Sequence, residues 1–204
     1  MRKLFALLGI GFLALAVAVG AKTLLMPSRQ LTVAAVVPVK VDAAAAADRL
    51  GAAVRLKTIA LRDDADANAA EFTALHALLQ ASFPKAHAVL QREVIGKYGL
   101  AYTWPGTDAK AAGIGLMAHQ DVVPIAPGTE GDWQQSPFSG AVRDGFVWGR
   151  GSWDDKGNLM SMMEAVELLA ASGFKPRQTI YLIFGQDEEI SGLRGGAQIA
   201  KLFE

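Results

Sequence analysis

Residues 113–121 read GIGLMAHQD, residues 149–157 read GRGSWDDKG and residues 179–189 read TIYLIFGQDEE, and these three segments decide the predicted fold. The first and third begin as apolar runs of strand length, and Gly113–Ala118 is predicted to be a buried strand. The second follows a brief apolar run, Phe146–Trp148, and leads into a helical pattern. Each segment therefore places His, Asp or Glu side chains at the end of a predicted strand.

Helical and extended patterns alternate along the rest of the chain. Apolar residues recur at helical spacing in several segments, and Gly173 closes the clearest of them. The alternation predicts an α/β domain in which helices pack on a central sheet. The predicted helices cover residues 43–59, 69–82, 158–172 and 194–203, and further strands are predicted at 94–95 and 100–104.

The N-terminus has the pattern of an export or membrane segment. Arg2 and Lys3 precede the apolar run Leu4–Ala21. Small residues at the end of the run resemble a cleavage site and favour a signal peptide, whereas the apolar residues that follow favour an uncleaved signal anchor. We therefore expect residues 1–26 to be a signal anchor or signal peptide and residues 27–42 to be a linker. The protein would then be membrane-anchored or secreted and extracytoplasmic, which means periplasmic in a bacterium.

Composition narrows the classes of partner and site. Lysine and arginine together number 20, as do aspartate and glutamate, so the chain lacks the basic field that attracts nucleic acid. We therefore expect no nucleic-acid partner. The chain contains no cysteine, so a metal site must use imidazole and carboxylate ligands.

The polar clusters carry ligand types that suit a metal. In an extended segment residues i and i+2 point to the same side, so Asp121 can accept the imidazole N–H of His119 while the other ring nitrogen binds a metal. A local hydrogen bond is the simpler interpretation of that pair. Asp154 precedes a helix and either caps it or bridges two metals. The three carboxylates of residues 187–189 form either a solvated acidic turn or a cluster that a cation must neutralise.

Taken together, these segments resemble the M20 metallopeptidases, in particular the carboxypeptidase S branch, which includes secreted N-acyl-amino-acid hydrolases. The resemblance implies a zinc-peptidase-type catalytic domain with helices packed on a central mixed sheet. Residues 43–204 would be its N-terminal part, without the family's lid or dimerisation domain. The matching segments are MAHQDVVP (117–124), GDW (131–133), PFSG (137–140), DGFVWGRGSWDDKG (144–157) and FGQDEE (184–189).

The resemblance also implies a role for each polar residue. His119 and Glu189 would each bind one of two zinc ions, and Asp154 would bridge them; cobalt or manganese would suit the same ligands. Glu188 would be the general base, and Asp121 would orient His119. The implied reaction is hydrolysis of an amide bond next to a free carboxylate, in a small peptide or an N-acyl amino acid.

Two departures from the family pattern qualify these expectations. Gln186 stands where the family usually has histidine, at a position that is not a metal ligand. The family takes one more carboxylate and one more histidine from sequence that corresponds to positions beyond Glu204. We therefore expect the 204 residues alone to bind zinc weakly and to turn over poorly, and a homodimer only in the complete protein. The alternatives are a non-catalytic membrane-tethered module and an aminoacylase or other deacylase of the same family.

Overall fold

The computed structural model describes residues 1–35 and 38–203, and its contacts divide the chain into two units, Met1–Lys40 and Val41–Glu204. In the first unit, helix α1 spans Arg2–Leu24 and is long and apolar enough to cross a membrane, a property that signal sequences share. Positions 36 and 37 of the predicted linker lie outside the described residues, as does position 204. The predicted domain boundaries remain a prediction.

The second unit alternates helices with strands, as the sequence pattern indicated. The predicted helix at 69–82 has the same bounds in the structure, whereas the helix predicted at 43–59 ends earlier, where Leu56 turns extended. The helices are α2 (Ala43–Arg55), α3 (Ala69–Ser82), α4 (Pro84–Val89), α5 (Lys156–Ala171) and α6 (Gly196–Ala200). The strands are β1 (Gln91–Ile95), β2 (Gly99–Trp104), β3 (Ile114–His119), β4 (Ala141–Arg143), β5 (Phe146–Trp148) and β6 (Ile180–Gly185).

Local chemistry explains where several helices begin and end. The Asp42 side chain accepts the backbone N–H of Ala45 and caps the start of α2. Pro84 occupies the first turn of α4, where its missing N–H leaves no hydrogen bond unmade. Gly173 follows α5 with a φ of +76°, a left-handed conformation that glycine adopts without strain.

The main sheet is mixed and has the strand order β1-β2-β6-β3. Strand β2 is antiparallel to both β1 and β6, whereas β3 runs parallel to β6. Alternate residues of β2 and β6 point into a core that the helices cover, which confirms the predicted α/β class with helices on a mixed sheet. This core includes Tyr102, Leu182, Phe184, Leu159 and Met163, all fully buried or nearly so.

The prediction that residues 113–118 form a buried strand was half wrong. The strand is present, but Met117 is 67% exposed, and Ile114 and Leu116 are also exposed. Within residues 38–203, β6 is the one strand that pairs with β3, so β3 lies at an edge of the sheet. Apolar composition predicts a strand, but it does not say how many neighbours the strand has.

Candidate metal centre

The parallel pair β3 and β6 brings two of the polar clusters together. His119, the last residue of β3, is in register with Gly185, the last residue of β6. Because the carboxyl ends of parallel strands meet at one edge, the residues that follow β6 lie next to His119. These residues form a short 3-10 helix, Glu188–Ile190. The remaining polar cluster, which contains Asp154, lies on the loop between β5 and α5 and reaches the same edge of the sheet.

His119, Asp154 and Glu189 each offer one ligand atom, and these atoms all lie within 4.8 Å of one another. Nε2 of His119 lies 2.9 Å from Oδ1 of Asp154 and 3.8 Å from Oε2 of Glu188. The side chains of Asp154 and Glu188 are 71% and 64% exposed, whereas His119 is buried. The arrangement is a solvent-accessible cluster of one imidazole and carboxylates, a ligand set that suits zinc and related divalent ions.

The electrostatics of the cluster favour a cation. Burial lowers the pKa of His119, but hydrogen bonds and charge from Asp121, followed by Asp154 and Asp155, outweigh it and raise the pKa to about 9. Burial raises the pKa of Glu189, and Asp154 adds to this rise against the opposing charge of His119. The metal-free cluster therefore retains a proton that metal binding must displace.

The Asp121 carboxylate lies beside His119, as the i, i+2 spacing predicted, and Asp121 also makes contacts that the spacing did not predict. Nδ1 of His119 lies 2.9 Å from the backbone carbonyl of Asp121 and 3.3 Å from its carboxylate. The two carboxylate oxygens accept the backbone N–H groups of Glu188 and Glu189, each at 3.0 Å. Asp121 therefore contacts His119 and also holds the two glutamates. Since Nδ1 of His119 faces these acceptors, Nε2 is the nitrogen that points to Asp154.

Asp155 and Lys156 make contacts that the sequence pattern did not predict. The Asp155 carboxylate accepts the backbone N–H of His119 at 3.1 Å, and the peptide bond between Asp154 and Asp155 is cis. Nζ of Lys156 is buried and donates to two carbonyls at the end of α2, and burial lowers the pKa of Lys156 to about 7. These partners lie about 36 and 100 residues away in sequence, so no local pattern could have found them.

Asp187 differs from the two glutamates that follow it. It is buried, and its carboxylate accepts the backbone N–H groups of Arg194 and Gly195, each at 2.8 Å. A Cβ atom at Gly195 would lie 2.7 Å from the Asp187 carboxylate, so this turn has no room for a larger residue. One of the three acidic residues therefore holds the loop in place, and the other two face the cluster.

The chain matches a known family and several of its members in sequence. Residues 115–204 match "Peptidase family M20/M25/M40". The chain is 42% identical over 160 residues to "Probable carboxypeptidase S-like 2" of Dictyostelium discoideum, which is 78% of this chain and 30% of that protein. It is 41% identical over 162 residues to "Carboxypeptidase S" of Saccharomyces cerevisiae, which is 75% of this chain and 28% of that protein. It is 33% identical over 159 residues to "N-fatty-acyl-amino acid synthase/hydrolase PM20D1" of Mus musculus, which is 77% of this chain and 31% of that protein.

Solved structures share the fold at lower identity. Human carnosine dipeptidase 1 aligns with a TM-score of 0.58 at 18% identity, over 77% of this chain and 34% of that one. The di-peptidase Dug1p of Saccharomyces cerevisiae aligns with a TM-score of 0.57 at 20% identity, over 76% and 34%. The chain spans about 30% of the length of the curated relatives it matches. The sequence matches lead to one assignment: residues 115–204 of this chain belong to peptidase family M20/M25/M40.

Proposed function

We propose that the protein to which this chain belongs is a zinc-dependent hydrolase of amide bonds next to a free carboxylate. The observation that carries the proposal is the group of His119, Asp154 and Glu189, whose ligand atoms lie within 4.8 Å of one another beside the exposed Glu188. Relatives named as carboxypeptidases and as N-fatty-acyl-amino acid hydrolases support peptides or N-acyl amino acids as substrates. A non-catalytic module would have no need of this arrangement.

The donor set fits the metals that the proposal requires. One imidazole nitrogen and two carboxylates are ligands that zinc accepts, and the proton that His119 holds in the metal-free cluster is one a cation would displace. In the proposed complete site, His119, Asp154 and Glu189 would hold the zinc ions. Cobalt or manganese would suit the same ligands.

Each residue near the ligands has a distinct task in the proposed reaction. A bound zinc ion lowers the pKa of water and polarises the amide carbonyl. The Glu188 carboxylate takes a proton from the attacking water and returns it to the departing amine. Glu188 is suited to this because it is solvent-exposed and only 3.8 Å from Nε2 of His119. Asp121 keeps His119 oriented and fixes the backbone of Glu188.

We further propose an extracytoplasmic location. Helix α1 is apolar along its length and follows the pattern of a signal sequence, so the catalytic unit is either tethered by α1 or released after its cleavage. The intact mass of the natural product from its own cells distinguishes these two outcomes, because cleavage after Ala21 removes the first 21 residues.

The test of the reaction uses that natural product with dipeptides and N-acyl amino acids as substrates. We expect hydrolysis that a chelator abolishes and zinc restores. Glu188→Gln should lower kcat by about 10²- to 10⁴-fold without loss of bound metal, because the variant cannot take up the proton. Glu93→Gln, at an exposed position of β1, is the matched control and should leave kcat unchanged. Full activity of Glu188→Gln, or activity that survives complete metal removal, would contradict the proposal.

A further inference from the structure

Gln120 lies between His119 and Asp121 but takes no part in the proposed chemistry. It is fully buried, and both hydrogens of its side-chain amide are used. Nε2 donates to the carbonyl of Tyr98 at 2.7 Å and to the carbonyl of Phe184 at 2.8 Å. Its backbone N–H donates to the carbonyl of Gly185 at 2.7 Å. Gln120 is therefore bonded to the last two residues of β6.

The acceptors of Gln120 are also satisfied. The Thr58 hydroxyl donates to its backbone carbonyl at 2.6 Å. Nε2 of His76 lies 2.8 Å from Oε1 of Gln120 and 3.1 Å from the carbonyl of Tyr98. Because both of these partners are acceptors, Nε2 of His76 must carry the proton. Buried polar groups that are all paired form a rigid network, and one that loses a member leaves costly unpaired groups behind.

The network joins the two segments that present the ligands. His119 is the residue before Gln120, and the chain that leaves Gly185 reaches Glu189 four residues later. We infer that Gln120, held by His76 on α3, is a positioning residue that fixes His119 relative to Glu189. The inference rests on the proposed metal site and adds to it two residues with no ligand or proton-transfer role.

The exposure of the site explains why such positioning is needed. The Asp154 and Glu188 side chains are mostly exposed, so the outer side of the cluster is bounded by solvent. A metal site needs its ligand atoms at fixed distances. Mutation of the residues that hold the ligands in place lowers metal affinity by about 10- to 100-fold. Gln120 and His76 lie behind the cluster, where they can hold the ligand-bearing backbone.

The experiment compares zinc affinity with stability in variants of the natural product that contains this chain, in mild detergent. Zinc affinity is measured by competition with a chromophoric chelator, and unfolding by urea is measured without metal. The variants are Gln120→Met, His76→Leu and His76→Gln, in which the new amide can again donate to Gln120. The control is His87→Leu, which removes a half-buried histidine of α4 whose ring is bonded to the carbonyl of Phe83 and to the hydroxyl of Tyr102 on β2.

We expect Gln120→Met to weaken zinc binding by about 10- to 100-fold and His76→Leu by about tenfold. His76→Gln should recover much of the affinity, and His87→Leu should lower stability while leaving zinc affinity unchanged. Affinities within twofold of the unsubstituted chain for Gln120→Met and His76→Leu would overturn the inference, even with lowered stability. The His76 variants decide the question where Gln120→Met does not fold. A natural product that binds no zinc in its unsubstituted form would overturn the proposed function and this inference with it, whereas one that binds zinc equally well in all variants would overturn this inference alone.

Discussion

Replacement of Asp121 by asparagine tests how the fold holds the ligand-bearing turn. The buried carboxylate accepts two backbone N–H groups, from Glu188 and Glu189, at 3.0 Å each. A hydrogen bond to a charged group contributes about 1.5–3 kcal/mol, and a buried donor left unpaired costs about 1–3 kcal/mol. Asparagine keeps one acceptor but turns an NH₂ group toward the other N–H. We therefore expect Asp121→Asn to lower the free energy of unfolding by about 3 kcal/mol.

The assay is urea unfolding of the metal-free chain, followed by tryptophan fluorescence. With a slope of about 2 kcal/mol per molar urea, the loss corresponds to a midpoint lower by about 1.5 M. Asp108→Asn is the control, because that carboxylate also accepts a backbone N–H but its side chain is 36% exposed. The control should lose about 1 kcal/mol or less. Equal midpoints for the two variants would refute the reasoning that the Asp121 carboxylate holds the turn.

Three further changes test the packing and the titration of the domain. Gly195→Ala should cost about 1–3 kcal/mol in unfolding free energy, because its Cβ would meet Oε1 of Gln186 and the Asp187 carboxylate, while Gly196→Ala, with open space at its Cβ, should change little. Leu182→Ala should cost about 2–5 kcal/mol because the side chain is fully buried, and a calorimetric midpoint no lower than that of the native chain would contradict the predicted core. Burial lowers the pKa of His76, so below about pH 6.5 the unfolded chain binds a proton that the folded chain does not. The unfolding free energy of the native chain should therefore fall as the pH is lowered from 7 to 5, and that of His76→Gln should fall less. Equal dependence on pH in the two chains would contradict the role given to His76.

Part of the candidate site could be predicted because its signals are local. His119, Asp154 and Glu189 follow strand or turn patterns, and the structure brings all three within reach of one ion. Their roles in catalysis and metal binding remain predictions. The same local argument placed the Asp121 carboxylate beside His119, where it lies 3.3 Å from Nδ1, but it could not find the backbone N–H groups of Glu188 and Glu189 that this carboxylate accepts.

The burial of the sheet could not be read in the same way. The apolar run of β3 is typical of a strand with neighbours on both sides, yet β3 lies at an edge with Met117 largely exposed. Neighbour number depends on strand order, and strand order places β6, which is last in sequence, between β2 and β3. The sixth strand along the chain thus lies between two earlier strands. A sequence pattern of a few residues contains no information about this order.

The sequence by itself determined the element types, the export-like segment and the polar clusters at strand ends, because the 2.0 and 3.6 residue periods and the motifs are written within short windows. Only the tertiary structure decided which groups pair across the fold. Asp121 holds the backbone of residues 67 and 68 positions away, and His76 reaches Gln120 across 44 positions. Such pairings follow from the path of the chain and from the requirement that buried polar groups find partners, and both conditions exist only once the strands have assembled.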